Sequence, residues 1–165
     1  MLIPQICRWL QATSVATAIR ESRWLFPAIE TLHVLATVMV VGTIAMLDLR
    51  LLNLASRDRA VREVSADVLP WTWTCFLCAA MTGALLFSSD AVKYYGNLPF
   101  RIKMLLLFLI GVNTALFELW SFRGVAAWDR GRTPVAAKFA GGLSLIFWIG
   151  VVFCGRWIGF TTTLR

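Results

Sequence analysis

Histidine occurs once in the 165 residues, at position 33, and charged side chains make up only 15%. Soluble domains carry about a quarter charged residues, so the deficit points away from a water-soluble globule. A single histidine leaves no His-rich metal set. No serine–histidine pairing is justified by spacing, and no glycine-rich phosphate loop is present. No second cysteine pair joins Cys75-Phe-Leu-Cys78 to complete a zinc set. These gaps make an enzyme the least supported class. A basic stripe with interleaved exposed aromatics is missing as well, so the net charge of +7 does not signal nucleic acid. Lys and Arg instead collect at the ends of apolar segments, where they meet lipid headgroups.

What the chain has in abundance is apolar length: 59% of its residues are hydrophobic. Four runs, at about 24–47, 68–87, 100–122 and 139–160, each reach the ~20 residues needed to cross ~30 Å of hydrocarbon. Backbone groups in lipid must bond within their own segment, and no alternating ten-residue strand pattern is present. The spacing therefore predicts an all-α, polytopic up-down bundle of four transmembrane helices over residues 24–165. Trp9, Trp24, Trp71, Trp120, Trp128 and Trp157 lie near segment ends, as an interfacial aromatic belt does. Gly42, Gly83, Gly141, Gly142, Gly150 and Gly155 are candidate points of close helix packing. Cys7, Cys75, Cys78 and Cys154 read as small apolar fillers, because a thiol in apolar surroundings is inert.

Residues 1–23 are too short and too polar to cross. Ile6, Trp9, Leu10, Ala16 and Ile19 fall at broadly helical spacing, which predicts an amphipathic helix lying in the interface. Arg8, Arg20, Glu21 and Arg23 interrupt the uncharged core that a secretory leader needs, so the first full span is expected to direct membrane insertion. The first and third interhelical loops carry Arg50, Arg57, Arg59, Arg62 and Arg123, Arg130, Arg132, Lys138. The second carries only Lys93, Arg101 and Lys103. That asymmetry favours both termini outside.

Up-down threading gathers the scattered polar residues into two layers. The outer layer holds Glu30, His33, Lys103 and Arg156; the inner holds Asp48, Arg50, Glu118 and Arg123. Glu30 and Asp48 are eighteen residues apart, about five whole turns, so they project from one face. His33 lies about 60° around the same side. Charges within the bilayer are costly, so these groups are expected to face the bundle. Pairing at helix ends accounts for Asp48, Arg50, Glu118 and Arg123. The outer cluster has two readings: a hydrogen-bonded structural histidine, or a binding site. Asn113, mid-span, is expected to bond a neighbouring helix, and Thr37, Thr43, Thr82 and Thr114 to bond their own backbones.

Trp24-Leu25-Phe26-Pro27, Glu30, His33, Gly42 and Asp48-Leu49-Arg50-Leu51-Leu52 resemble an uncharacterised family of four-helix bacterial inner-membrane proteins. So do Pro70-Trp71, Thr82-Gly83 with Phe87, Phe100-Arg101-Ile102-Lys103, Asn113 and Gly155-Arg156. The resemblance implies the fold and a multi-pass place in the bacterial cytoplasmic membrane; it carries no reaction. A more distant likeness, in apolar pattern, is to copper-resistance and b-type-cytochrome membrane bundles.

Three functions fit these residues. The first is a non-enzymatic membrane subunit or binding module with a buried polar site around Glu30 and His33, in contact with lipid and with further copies or a larger complex. The second is a haem b-binding electron-transfer subunit. There His33 is the axial metal ligand, Glu30 orients it, Lys103 and Arg156 meet the propionates, and Met81 or a second protomer's histidine supplies the sixth bond. The third is a small proton-coupled transporter using Glu30, His33 and Asp48. Met39, Met46, Met81 and Met104 are too scattered to argue copper and read as core filler.

Overall fold

The computed structural model describes residues 2–129 and 133–163; Arg130 and Arg132, counted above among the loop cations, lie outside the described residues. Seven α-helices follow in order: α1 (Leu2–Gln11), α2 (Ser14–Glu21), α3 (Leu25–Leu51), α4 (Val61–Ser89), α5 (Ala91–Gly96), α6 (Leu98–Leu116) and α7 (Val135–Thr163). Four are long and apolar enough to cross a membrane: Leu25–Leu51, Val61–Ser89, Leu98–Trp120 and Val135–Thr161. The chain is a multi-pass membrane protein built on four helices. Because the spans alternate in direction, α1, α5 and the end of α7 share one side, and the segments 52–60 and 122–129 share the other.

Local chemistry sets the helix ends. Ser22 Oγ accepts the free backbone N–H groups of Trp24 and Leu25 ahead of α3, and Pro27 sits in its first turn. The helix stops where Asn53 takes a left-handed φ of 57°. At α6, Asn97 Oδ1 accepts from Phe100 N at 3.1 Å, and Pro99 follows within the first turn. The start of α4 is capped from across the bundle, where Asp129 Oδ1 accepts from Arg62 N at 2.9 Å. Beyond Leu116 the third span widens into a π-turn, Phe117–Ser121, and then tightens into a 3₁₀ helix, Phe122–Ala127.

In lipid the helices gain little from excluding water, so close packing and hydrogen bonds hold them together. α3 lies along α4 and against α7, and α7 lies along α6. α4 and α6 scarcely touch along their lengths, so the ring of four is open between them. Two apolar clusters lie at the loop end and at mid-height. Leu47, Leu51, Val61, Val64, Val68, Val125 and Ala137 form one; Val40, Ile110, Trp148 and Val151 form the other. Glycines bring helices close at particular points. A Cβ on Gly141 would meet Asp48 O and Leu51 Cβ, each at 3.2 Å, and one on Gly150 would meet Leu106 Cδ1 at 2.8 Å. Gly42 has nothing within 4 Å and serves no such contact.

The amino-terminal segment is two helices where the sequence suggests one. Thr13 breaks it by capping Ala16 N, and the resulting hairpin docks on the rest of the protein. Cys7, Ala16 and Ile19 are buried against the ends of α4, α3 and α5. Arg20 donates to Ser89 O at 3.0 Å, and Gln11 Nε2 donates to Asp90 Oδ1 at 3.2 Å. Leu2, Ile3, Ile6 and Trp9 stay exposed as the apolar stripe of α1.

Candidate functional site

His33, on the chain-end half of α3, lies across α4. Its Nδ1 is 2.9 Å from Ala79 O and 3.1 Å from Thr82 Oγ1. A carbonyl only accepts, so Nδ1 carries the proton in the Ala79 bond. Thr82 Oγ1 donates in turn to Cys78 O at 2.7 Å, so it too receives from the ring. In the neutral imidazole Nε2 then bears a lone pair and has no hydrogen-bond partner among the described residues. Gly83 makes this approach work, since a Cβ there would stand 3.0 Å from His33 Cε1.

Lys103, in the second turn of α6, reaches the same level from the opposite side. Its Nζ passes beside Gly155, 3.7 Å from where a Cβ would be, in the neighbourhood of Cys154 and within electrostatic reach of His33. No carboxylate among the described residues lies within 4.0 Å of it. A Cβ at Gly155 would meet the ammonium only in ordinary van der Waals contact, whereas Gly83 on α4 is what gives the imidazole its seat. The anchor reading and the site reading of His33 are both served by this geometry: Nδ1 anchors, Nε2 is available.

Glu30 is exposed, although Asp48, on the same azimuth of α3, is only 5% exposed. α7 closes over that face at Gly141 and has parted from it by the level of Glu30. The bundle is tight at its loop end and spread at its chain end. Above the gap stands an aromatic group: Phe87 of α4 stacks on Phe100 of α6 at 5.3 Å, and Tyr94 of α5 leans on both. Burial, then the charges of Glu30 and Asp90, raise the Tyr94 phenol above its ordinary value, so Glu30 points toward this group.

The other expected members fall elsewhere. Arg156 is exposed and lies over the Phe160 ring, 4.9 Å from its centroid, one turn along α7 and away from Lys103. Met81 is 56% exposed on the outer side of α4, because Ala79, Thr82 and Gly83 are the residues that face His33. It cannot serve as a sixth haem ligand within this chain.

Among the described residues the inner layer forms no ion pair either. Arg50, 1% exposed, bonds three oxygens of the loops: Arg59 O at 2.7 Å, Asn53 Oδ1 at 3.1 Å and Asp129 O at 3.2 Å. It fastens two loops together. Asp48 has Ser144 within reach, and its Oδ2 has no hydrogen-bond partner. Glu118 lies exposed on the π-turn, and Arg123 is exposed beyond it. Asn113 Nδ2 donates to Ala140 O on α7 at 2.9 Å. Asn53 and Asp129, which organise the loop end, were not singled out by the sequence. Asn53 follows a helix end, and a left-handed cap there was the one available signal.

No curated protein and no solved structure matches the chain. Over residues 25–161, which take in all four spans, the chain matches the family of unknown function DUF6644 and belongs to it.

Proposed function

We propose that the protein is a non-enzymatic membrane binding module of the bacterial cytoplasmic membrane, with both termini outside and its site in the spread end of the bundle. The observation that supports it is the paired state of His33. Nδ1 is committed to Ala79 O, so Nε2 offers a lone pair in a setting where the half-buried Lys103 offers a cationic donor. A lone acceptor and a cation with no counter-ion among the described residues, held beside glycines, suit a ligand that brings a hydroxyl and an acidic or carbonyl oxygen. α4 and α6 make few contacts along their lengths, so a ligand of this kind would enter from the side between them.

One observation favours haem b as the ligand. A metal-binding histidine characteristically donates its other ring N–H to a carbonyl, which fixes tautomer and ring angle, and His33 does so. Lys103 suits one propionate. With Met81 turned outward, the sixth bond would come from a second copy of the chain, or the iron would stay five-coordinate.

The test compares wild type with His33→Ala, each purified from its own membranes in mild detergent and extracted for bound small molecules, with an optical spectrum before extraction. The reading requires a near-stoichiometric ligand in wild type that the variant has lost; a Soret band identifies haem. Equal ligand content in the two proteins refutes the site.

A further inference from the structure

A second site stands outside the bundle, at the junction of the amino-terminal hairpin with α5. Arg8, Gln11, Arg20, Asp90, Val92 and Lys93 line an open groove there. Three of the groove's seven lining residues, which also include Ala12, are cations against one carboxylate. That carboxylate is already engaged, because Asp90 Oδ1 receives the Gln11 amide. Gln11 Oε1 also holds Val92 N at 3.4 Å, which pins α1 to α5 and keeps the groove's two walls in register. Arg20 spans the floor from Ser89 O to Gln11 O. Arg8 is exposed at the groove, and its guanidinium has no hydrogen-bond partner among the described residues.

The setting decides what such a groove meets. α4 ends at Ser89 and α3 begins at Leu25, so the groove lies at the level where hydrocarbon gives way to headgroups. Leu2, Ile3, Ile6 and Trp9 are exposed along α1. On a helical wheel they centre about 150° from Arg8. A helix placed so sinks its apolar stripe into the acyl region and lifts Arg8 to phosphate height. Cations clustered at that height attract anionic lipid.

We propose that this groove binds the phosphodiester headgroup of an anionic phospholipid, with Arg8 and Lys93 meeting the phosphate and Arg20 setting the floor. The site belongs to this chain's amino-terminal hairpin: Arg8 and Arg20 precede the segment shared with the family, which begins at residue 25. It is independent of the His33 cleft.

Delipidated full-length protein in detergent is titrated with phosphatidylglycerol or with phosphatidylcholine of the same acyl chains, and bound lipid is counted by native mass spectrometry. Wild type is expected to retain phosphatidylglycerol in preference to phosphatidylcholine. The double variant Arg8→Gln/Lys93→Gln should weaken that retention at least about tenfold, since each cation near a membrane surface adds to the attraction. Arg156→Gln, which removes a cation on the same half of the membrane but deeper in the bundle and outside the groove, should change it by less than about twofold, because the rule applies to cations near the surface. Equal retention of the two lipids, or equal loss in the double and Arg156→Gln variants, overturns the proposal. Displacement of the lipid by millimolar inorganic phosphate would also overturn it, because the groove would then read free phosphate. His33→Ala should retain phosphatidylglycerol as wild type does, so failure of the cleft reading and failure of this one are told apart.

Discussion

Gly83→Ala tests the seat of His33 directly. The new Cβ would stand 3.0 Å from His33 Cε1 and 3.4 Å from Nδ1, closer than carbon contacts settle. The ring cannot retreat freely, because its Nδ1 is tied at 2.9 Å to Ala79 O on the same helix as the intruding methyl. Overpacking of this kind costs about 1–3 kcal/mol. Replacing glycine by alanine in a helix returns up to about 1 kcal/mol, so a net loss of about 1–2 kcal/mol is expected. Gly42→Ala is the matched control: nothing lies within 4 Å of its Cβ, so only the favourable term remains. Thermal unfolding of the purified proteins in one detergent, followed by helical circular dichroism, compares them. Because the penalty is a contact with one side chain, it should vanish in a His33→Ala background, where Gly83→Ala should match Gly42→Ala. Equal stability of the two single variants, or a Gly83→Ala penalty that persists without the imidazole, refutes the placement of His33 on α4.

Arg50→Met should be among the most destabilising changes, by roughly 3 kcal/mol, since it strips the donor from three loop oxygens at once; an unchanged unfolding midpoint would contradict the network. Asn113→Leu should cost far less, about 0.6 kcal/mol, the mean for one interhelical hydrogen bond in a membrane, and a loss several times larger in the same assay would count against that bond. Tyr94 should ionise above the ordinary tyrosine range, with phenolate absorbance as the readout. The folded state holds that proton more tightly than the unfolded chain. Its contribution is therefore complete below the unfolded value near 10 and fades as pH rises through the folded one. Tyr94→Phe should remove that alkaline loss, and Glu30→Gln should lower the Tyr94 titration; if Glu30→Gln leaves it unmoved, the carboxylate does not face Tyr94.

The four spans were legible because each needs only a sufficient run of apolar residues, a property of the segment alone. Their alternation puts His33 and Lys103 at one level, since rise per residue and direction suffice for depth. Angle around the bundle was not legible in the same way. Glu30 and Asp48 share an azimuth, yet one is exposed and the other buried, because α7 closes on α3 at Gly141 and parts from it toward the chain ends. Arg156 was expected beside Lys103 and instead lies over Phe160, a choice between two sides of α7 that depth does not make. Arg50 was expected to pair at the helix end, but Asp48, two residues away, points to a different side of the helix. The partners of Arg50 are loop carbonyls up to 79 residues distant.

The amino-acid order alone determined that the chain crosses the membrane four times as helices, because in hydrocarbon every backbone group must be satisfied within its own segment. It also determined that an amphipathic, basic segment precedes the first crossing. Tertiary structure alone decided which polar side chains meet. Helix–helix contact in lipid is selected by small residues and individual hydrogen bonds, not by burying apolar surface from water, and those contacts depend on helix rotation and splay. Gly83 under His33, Gly155 beside Lys103 and the open seam between α4 and α6 are outcomes of that packing, and the candidate site exists only where they coincide.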